Sequence, residues 1–144
     1  MTNEAFLKRL ELLTKKRDLK EQFMEIMFLI KQAYDDDLSI YVRCYIYESN
    51  PDLGQQAYIG EKNQRFLMCY TSKQHAGNEK RLSVVKPGQT MKTAKIRIRD
   101  VVNNMFGKES IMGLIINPDD EKASALVIKE AIRPLITGDF SKFQ

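Results

Sequence analysis

Residues 38–47 read LSIYVRCYIY, and the apolar period changes there from that of a helix to that of a strand. Ile40, Val42, Cys44 and Ile46 alternate with Tyr41, Arg43, Tyr45 and Tyr47. Successive side chains of a strand point to opposite faces, so a period of two predicts a strand with one face on a core. The chain before it behaves differently. Leu19, Phe23, Ile26, Ile30 and Tyr34 step by three or four with Met27 alongside, the apolar stripe of a helix. Phe6, Leu10 and Leu13 form an earlier stripe out of frame with it. A change of direction near TKKRD accounts for the jump, with Thr14 or Asp18 as cap and Leu19 opening the second helix, and one long bent helix is the alternative.

Downstream, SNPDLG offers a turn through Asn50, Pro51 and Gly54, followed by a short strand around Ala57 to Ile59. Gly60 to Asn63 turns the chain, and RFLMCYTS reads as another strand. KQHAGNEK is a polar loop or a single helical turn. RLSVV is expected as a strand closed by Pro87 and Gly88, and AKIRI as a further short one. Asp100 then opens a short helix that Gly107 stops. The continuous apolar run IMGLIIN predicts a central strand covered on both faces, which Pro118 ends. SALVI is a candidate partner strand, and KEAIRPLI a final helix that Pro134 kinks or shortens. The order predicts one α/β (α+β) domain over residues 1–144. Its mixed, largely antiparallel sheet is flanked by helices, two of them N-terminal and one C-terminal.

At 144 residues the chain is long enough for a core of its own, and 43% apolar with 29% charged residues is a globular composition. No apolar run approaches the roughly 18 residues of a membrane span. The opening MTNEAFLKRLELLTKK mixes charges throughout and lacks the apolar stretch of a secretory signal, so the expected location is the cytoplasm. The net charge of +4 is unevenly spread. Residues 73–99 hold eight Lys or Arg against Glu79 alone, a local +7, which leaves −3 for the rest. Asp35, Asp36 and Asp37 form one acidic run; Asp119, Asp120 and Glu121 form another.

Catalytic apparatus is sparse. The single histidine, His75, lies near Thr71, Ser72 and Cys69, which reads more simply as an exposed loop residue than as a general base. Cys44 and Cys69 lie in strand-type apolar stretches outside any CxxC motif and read as small buried hydrophobes. With one histidine and two distant cysteines no metal-ligand spacing arises, and no cofactor is implied. The scattered glycines make neither GxGxxG nor GxxxxGK[ST]. Asp119 and Asp120 read as a solvated turn. The DDD run lacks the spacing of a calcium loop and reads as a helix-to-strand connector.

Two surfaces stand out. Lys95, Arg97 and Arg99 alternate with Ile96 and Ile98. Such a row would hold phosphates in a salt-sensitive, sequence-independent way, or else form a solvated strand face that blunts edge pairing. It lacks the interleaved aromatics of a base-stacking platform. Tyr41, Arg43, Tyr45 and Tyr47 are of the types favoured at interface hot spots. Alternatively a helix covers that face and leaves only the tyrosine hydroxyls at the rim.

The segment order resembles the N-terminal domain of the SseB family of bacteria, the enhanced-serine-sensitivity type. RFLMCYTS is similar to that family's strand ending in aromatic-Thr-Ser, here Tyr70, Thr71 and Ser72. IRIRDVVNNMFGKESIMGLIINP is similar to its short helix and strand ending in Ile116, Asn117 and Pro118, and SALVIKEAIRPL to its closing strand and helix. Departures are Tyr70, where many relatives carry Phe, the more basic KQHAGNEKRL, and the absence of the second domain of longer relatives. The resemblance implies a non-enzymatic interaction or regulatory module without catalytic residues. The expectation is therefore a cytoplasmic module that binds another protein, with anion or nucleic-acid binding through residues 73–99 as the alternative.

Overall fold

The computed structural model describes residues 1–60, 64–81 and 85–140, and at 51–53 the backbone alone. Two helices lead, α1 (Asn3–Thr14) and α2 (Leu19–Asp35). The cap between them is Asp18, whose carboxylate accepts from the Glu21 N–H at 3.1 Å. The end of α1 is held by buried Gln22, whose Nε2 donates to the carbonyls of Leu13 and Thr14 at 3.0 and 3.1 Å. A helix end leaves such carbonyls without partners, so Gln22 fixes the angle at which α2 departs.

The strands are β1 (Ser39–Tyr47), β2 (Asn50–Gln56), β3 (Tyr58–Ile59), β4 (Arg65–Tyr70), β5 (Gln89–Arg97), β6 (Ile111–Ile116) and β7 (Ala125–Ile128). Three further helices are α3 (Lys73–Gly77), α4 (Ile98–Phe106) and α5 (Lys129–Thr137). Among the described residues this makes an α+β fold of five helices and one seven-stranded mixed sheet. All strand pairs are antiparallel except β4 with β6. β1 pairs over its full length with β5. On its other side it meets β4 at Tyr41 and Val42, and β2 from Cys44 onward. The β2–β3 corner fills the wedge between the splayed β1 and β4. There, fully buried Ala57 donates its N–H to the Arg43 carbonyl and accepts from the Met68 N–H.

Three sequence expectations shift. The chain reverses at Glu48–Ser49 rather than through Asn50, Pro51 and Gly54, because a two-residue reversal returns residues 50–56 onto β1 as a strand. The AKIRI strand is the end of a longer one, since β5 follows β1 in register from Gln89. It stops at Arg97, so Ile98 and Arg99 begin α4 two residues before the expected Asp100. Part of the expected RLSVV strand, residues 82–84, lies outside the described residues.

The sheet carries a core on each face. On one, Ile40, Val42, Leu67, Cys69, Leu114 and Val127 pack with Phe6, Leu10, Ile26, Ile30, Val102 and Ile132 of α1, α2, α4 and α5. On the other, Met68, Tyr70, Ala57 and Ala76 form a smaller cluster with Tyr41, Tyr45 and Met91 against it, and α3 is its lid. β6 and β7 approach closely, and a Cβ on Gly113 would strike the Val127 carbonyl, so only glycine fits there. Among the described residues no helix is long and apolar enough to cross a membrane.

Candidate functional site

The register of β1 sorts its four candidate residues. Tyr41, Arg43, Tyr45 and Tyr47 share the face that carries the smaller core, opposite Lys95, Thr93, Met91 and Gln89 of β5. The first two are occupied. The Lys95 ammonium sits 5.5 Å from the centre of the Tyr41 ring, and Arg43 Nη1 donates to Thr93 Oγ1 at 2.9 Å. The other two are open. With Tyr58, Gln55, Lys86 and Gln89, Tyr45 and Tyr47 line a cleft of about 300 Å³. Its aromatic wall is braced, because the Arg65 guanidinium lies 4.6 Å over the Tyr58 ring. Tyr47 is 37% exposed. The face is thus half core and half cleft.

The basic row does not form. Lys95 is drawn over Tyr41, and Arg97 pairs with Asp100 and Asp37 at 3.2 and 3.4 Å. Arg99 stands on α4, where its Nε and Nη2 donate to the carbonyls of Tyr34 and Asp35 at 2.7 and 3.0 Å. Those carbonyls end α2, where the helix dipole favours a cation. Strand alternation ends at Ile98, and Arg99 becomes a helix cap rather than a phosphate ligand in line with Lys95.

A polar cluster that sequence reasoning missed lies where β4 and β6, the parallel pair, end. Thr71 follows β4 and Asn117 follows β6. The Thr71 N–H donates to Asn117 Oδ1 at 3.0 Å, and Asn117 Nδ2 donates back to Thr71 Oγ1 at 2.9 Å. Fully buried Asn117 adopts φ +51°, a left-handed conformation that asparagine tolerates better than most residues. Beside this clamp, Ser72 caps α3 by accepting from the His75 N–H at 3.1 Å. His75 Nδ1 lies 2.8 Å from Asp119 Oδ2 and Nε2 lies 3.0 Å from Glu11 Oε1. An ionised carboxylate only accepts, so both contacts are hydrogen bonds only when the ring carries a proton on each nitrogen.

His75 is therefore not an exposed loop residue, and Asp119 is not in a solvated turn. The ring is 19% exposed and the Asp119 side chain 2%. Among the described residues Asp119 Oδ1 is buried without a hydrogen-bond partner. Nearby, the Tyr70 hydroxyl donates to buried Glu79 at 3.2 Å, and burial followed by that negative charge pushes the phenol well above its ordinary range. Arg81 closes the group, reaching Glu79 at 3.2 Å and the Pro118 carbonyl at 2.9 Å. The hydroxyls that would serve as nucleophiles are engaged: Thr71 donates to Glu11 at 3.2 Å, and Ser72 caps α3. The cluster is built to join α1, α3 and two strand ends. His75 and Asp119 are 44 residues apart, so no spacing rule joins them. The usable signal was the pair of strand-ending motifs, TS and NPD.

Cys69 is fully buried, and burial pushes its thiol up to about 12, far from the range of a reactive thiolate. Burial also raises Cys44, against a smaller opposing effect of Lys92. Among the described residues no group of His, Cys, Asp and Glu is arranged to hold a metal ion. No family model matches the chain. Neither a curated protein nor a solved structure matches it.

Proposed function

We propose that this domain is a non-enzymatic protein-interaction or regulatory module of the cytoplasm. The observation that carries the reading is the convergence of Tyr45, Tyr47 and Tyr58 on one open cleft with Gln55, Lys86 and Gln89. Tyrosine gives a large contact area, loses little rotamer entropy and keeps a polar tip, which suits it to binding hot spots. The inert thiols and the engaged hydroxyls of Thr71 and Ser72 agree with a binding role. The resemblance to the SseB N-terminal domain points the same way. Anion binding through Lys95, Arg97 and Arg99 is the weaker reading, because Arg97 and Arg99 already hold acids and helix-end carbonyls.

Affinity capture from the native cell with the wild-type chain and with a Tyr45→Ala, Tyr47→Ala chain tests the reading. A partner retained by the first and lost from the second, at unchanged circular dichroism, supports the cleft. A partner held equally by both refutes it.

A further inference from the structure

Among the described residues β2, β3, β5 and β7 each pair with a single strand, and β5 is the longest of the four. β7 is four residues long, whereas β5 is nine residues long and, among the described residues, pairs only with β1. Antiparallel neighbours exchange hydrogen bonds at every second residue pair. The bonds from Ile98 N to Leu38 O and from Glu48 N to Gly88 O place bonded pairs at both ends of the β1–β5 register. By alternation, the even-numbered residues of β5 bond β1. The N–H and C=O groups of Met91, Thr93, Lys95 and Arg97 then point away from it, along an edge that a further strand would complete, whereas the Gln89 N–H already donates to the Lys86 carbonyl at 3.0 Å.

Charge decides what fits this edge. Thr90, Lys92, Lys95 and Arg97 are exposed. Lys92 and Lys95 make no ion pair among the described residues, unlike Arg97. Their register partners Cys44 and Tyr41 lie on opposite faces of the sheet, so the edge presents one lysine to each face. Lysines on an edge repel a second copy of the same strand, which is how sheet proteins avoid self-association. An acidic strand meets no such barrier.

We infer that the free edge of β5 is a docking site for an extended acidic peptide segment of a partner protein. The segment adds an antiparallel strand, with two acidic residues three positions apart opposite Lys95 and Lys92. This spacing puts one carboxylate on each face of the sheet. Positions opposite Ala94 and Met91 take small or apolar side chains. Main-chain bonds to the odd-numbered residues give affinity, and the two lysines give selectivity. The inference rests on the binding-module reading and names its partner's chemistry.

The probe is the capped heptapeptide Thr-Val-Glu-Val-Thr-Glu-Val, compared with versions carrying Gln or Lys at both acidic positions, and with one whose glutamates stand two apart. At low salt the acidic peptide should bind about tenfold more tightly than the Gln version, an advantage that salt erodes. Amide hydrogen exchange should slow at Met91, Thr93 and Lys95, which charge attraction alone would not cause. Moving the glutamates two apart puts both on one face and should remove most of the advantage. The charge reversal Lys92→Glu, Lys95→Glu should transfer preference to the Lys peptide. N-methylation of the peptide's inward-facing amides leaves the protein untouched and should abolish binding.

Equal binding of the acidic and Gln peptides, or binding without slowed exchange at those three amides, would overturn the inference. The two readings fail separately. Tyr45→Ala with Tyr47→Ala should leave peptide protection intact. If that double variant releases the captured partner while the peptide gives no protection, the cleft stands and the edge falls. If it releases nothing, the cleft falls whatever the peptide does.

Discussion

Asn117 offers a test in which geometry reverses a familiar order of stability. Its side chain makes both bonds of the clamp between the β4 and β6 ends, at 3.0 and 2.9 Å to Thr71, and its backbone sits at φ +51°. Asn117→Ala removes both bonds and leaves the Thr71 N–H without its acceptor. Thr71 is only 5% exposed, so water compensates poorly, and a stranded buried donor costs about 1–3 kcal/mol. Alanine at positive φ adds roughly 1 kcal/mol of strain, the lower end of the left-handed penalty, because asparagine already carries part of it. The expected loss is about 3 kcal/mol.

Asn117→Gly loses the same bonds but is at ease at positive φ. Its expected loss is about 2 kcal/mol, the stranded donor alone. In regular structure glycine is the worse residue by about 0.5–1 kcal/mol, so here the order should invert. Urea unfolding at neutral pH, followed by circular dichroism with unchanged m-values, measures both. If the alanine variant is as stable as the glycine variant or more so, left-handed strain is not what Asn117 relieves. If both variants lie within about 0.5 kcal/mol of wild type, the clamp does not hold the strand ends.

Further expectations follow from the same regions. His75→Ala strands the Asp119 carboxylate, 2% exposed, and should cost about 2 kcal/mol, within the range for leaving a buried acceptor without its partner. Glu11→Gln acts on a carboxylate 36% exposed and should cost under about 1 kcal/mol; equal effects in urea unfolding would contradict the burial order. Cys69 has a folded value near 12 against an ordinary 9.0, so its contribution is intact below pH 9 and is lost as pH rises toward 12. In that window the unfolded thiol ionises first and wild-type stability should fall by up to about 1.4 kcal/mol per pH unit from this group. Cys69→Ala should show a shallower alkaline slope, and an unchanged slope would assign the loss elsewhere, with Tyr70 the first alternative.

Periodicity carried most of the fold. The jump in apolar frame between Leu13 and Leu19 corresponds to a real helix break capped by Asp18, and the alternation of 40–47 to β1. What failed failed for physical reasons. SNPDLG has turn residues, but the reversal needed only Glu48 and Ser49, and pairing with β1 overrode local preference. Arg99 looked like the next member of an alternating row because a strand end and a helix start both tolerate Arg-Ile-Arg. Only the Ile98 bond to Leu38 marks where the ladder stops. The cluster of Glu11, His75 and Asp119 was illegible because its members come from α1, α3 and the turn after β6. The parallel pairing of β4 with β6 brings His75 and Asp119 together, and the packing of α1 on the sheet adds Glu11.

Sequence charge alone suggested one basic surface in residues 73–99, and the fold divides it by role. Arg81 and Arg97 answer acids, and Arg99 ends a helix. Lys95 covers an aromatic ring, and Lys86 borders the tyrosine cleft. What remains available is a line rather than a patch, the outer edge of β5. That line ends at Gln89, which also lines the cleft and stands opposite Tyr47. A strand laid antiparallel along β5 from Arg97 toward Gln89 would finish beside Gln89, at the border of the cleft that Tyr47 lines across β5. Under the proposals above, the edge and the cleft are two parts of one path. A partner's acidic strand would fix register and direction, and the side chain that follows it would reach the aromatic wall. The second core bears on this arrangement, because α3 covers the face near Tyr41 and Tyr70 but leaves Tyr45 and Tyr47 open to the cleft. The lid sits where the face is core, and its absence defines the place where binding is expected.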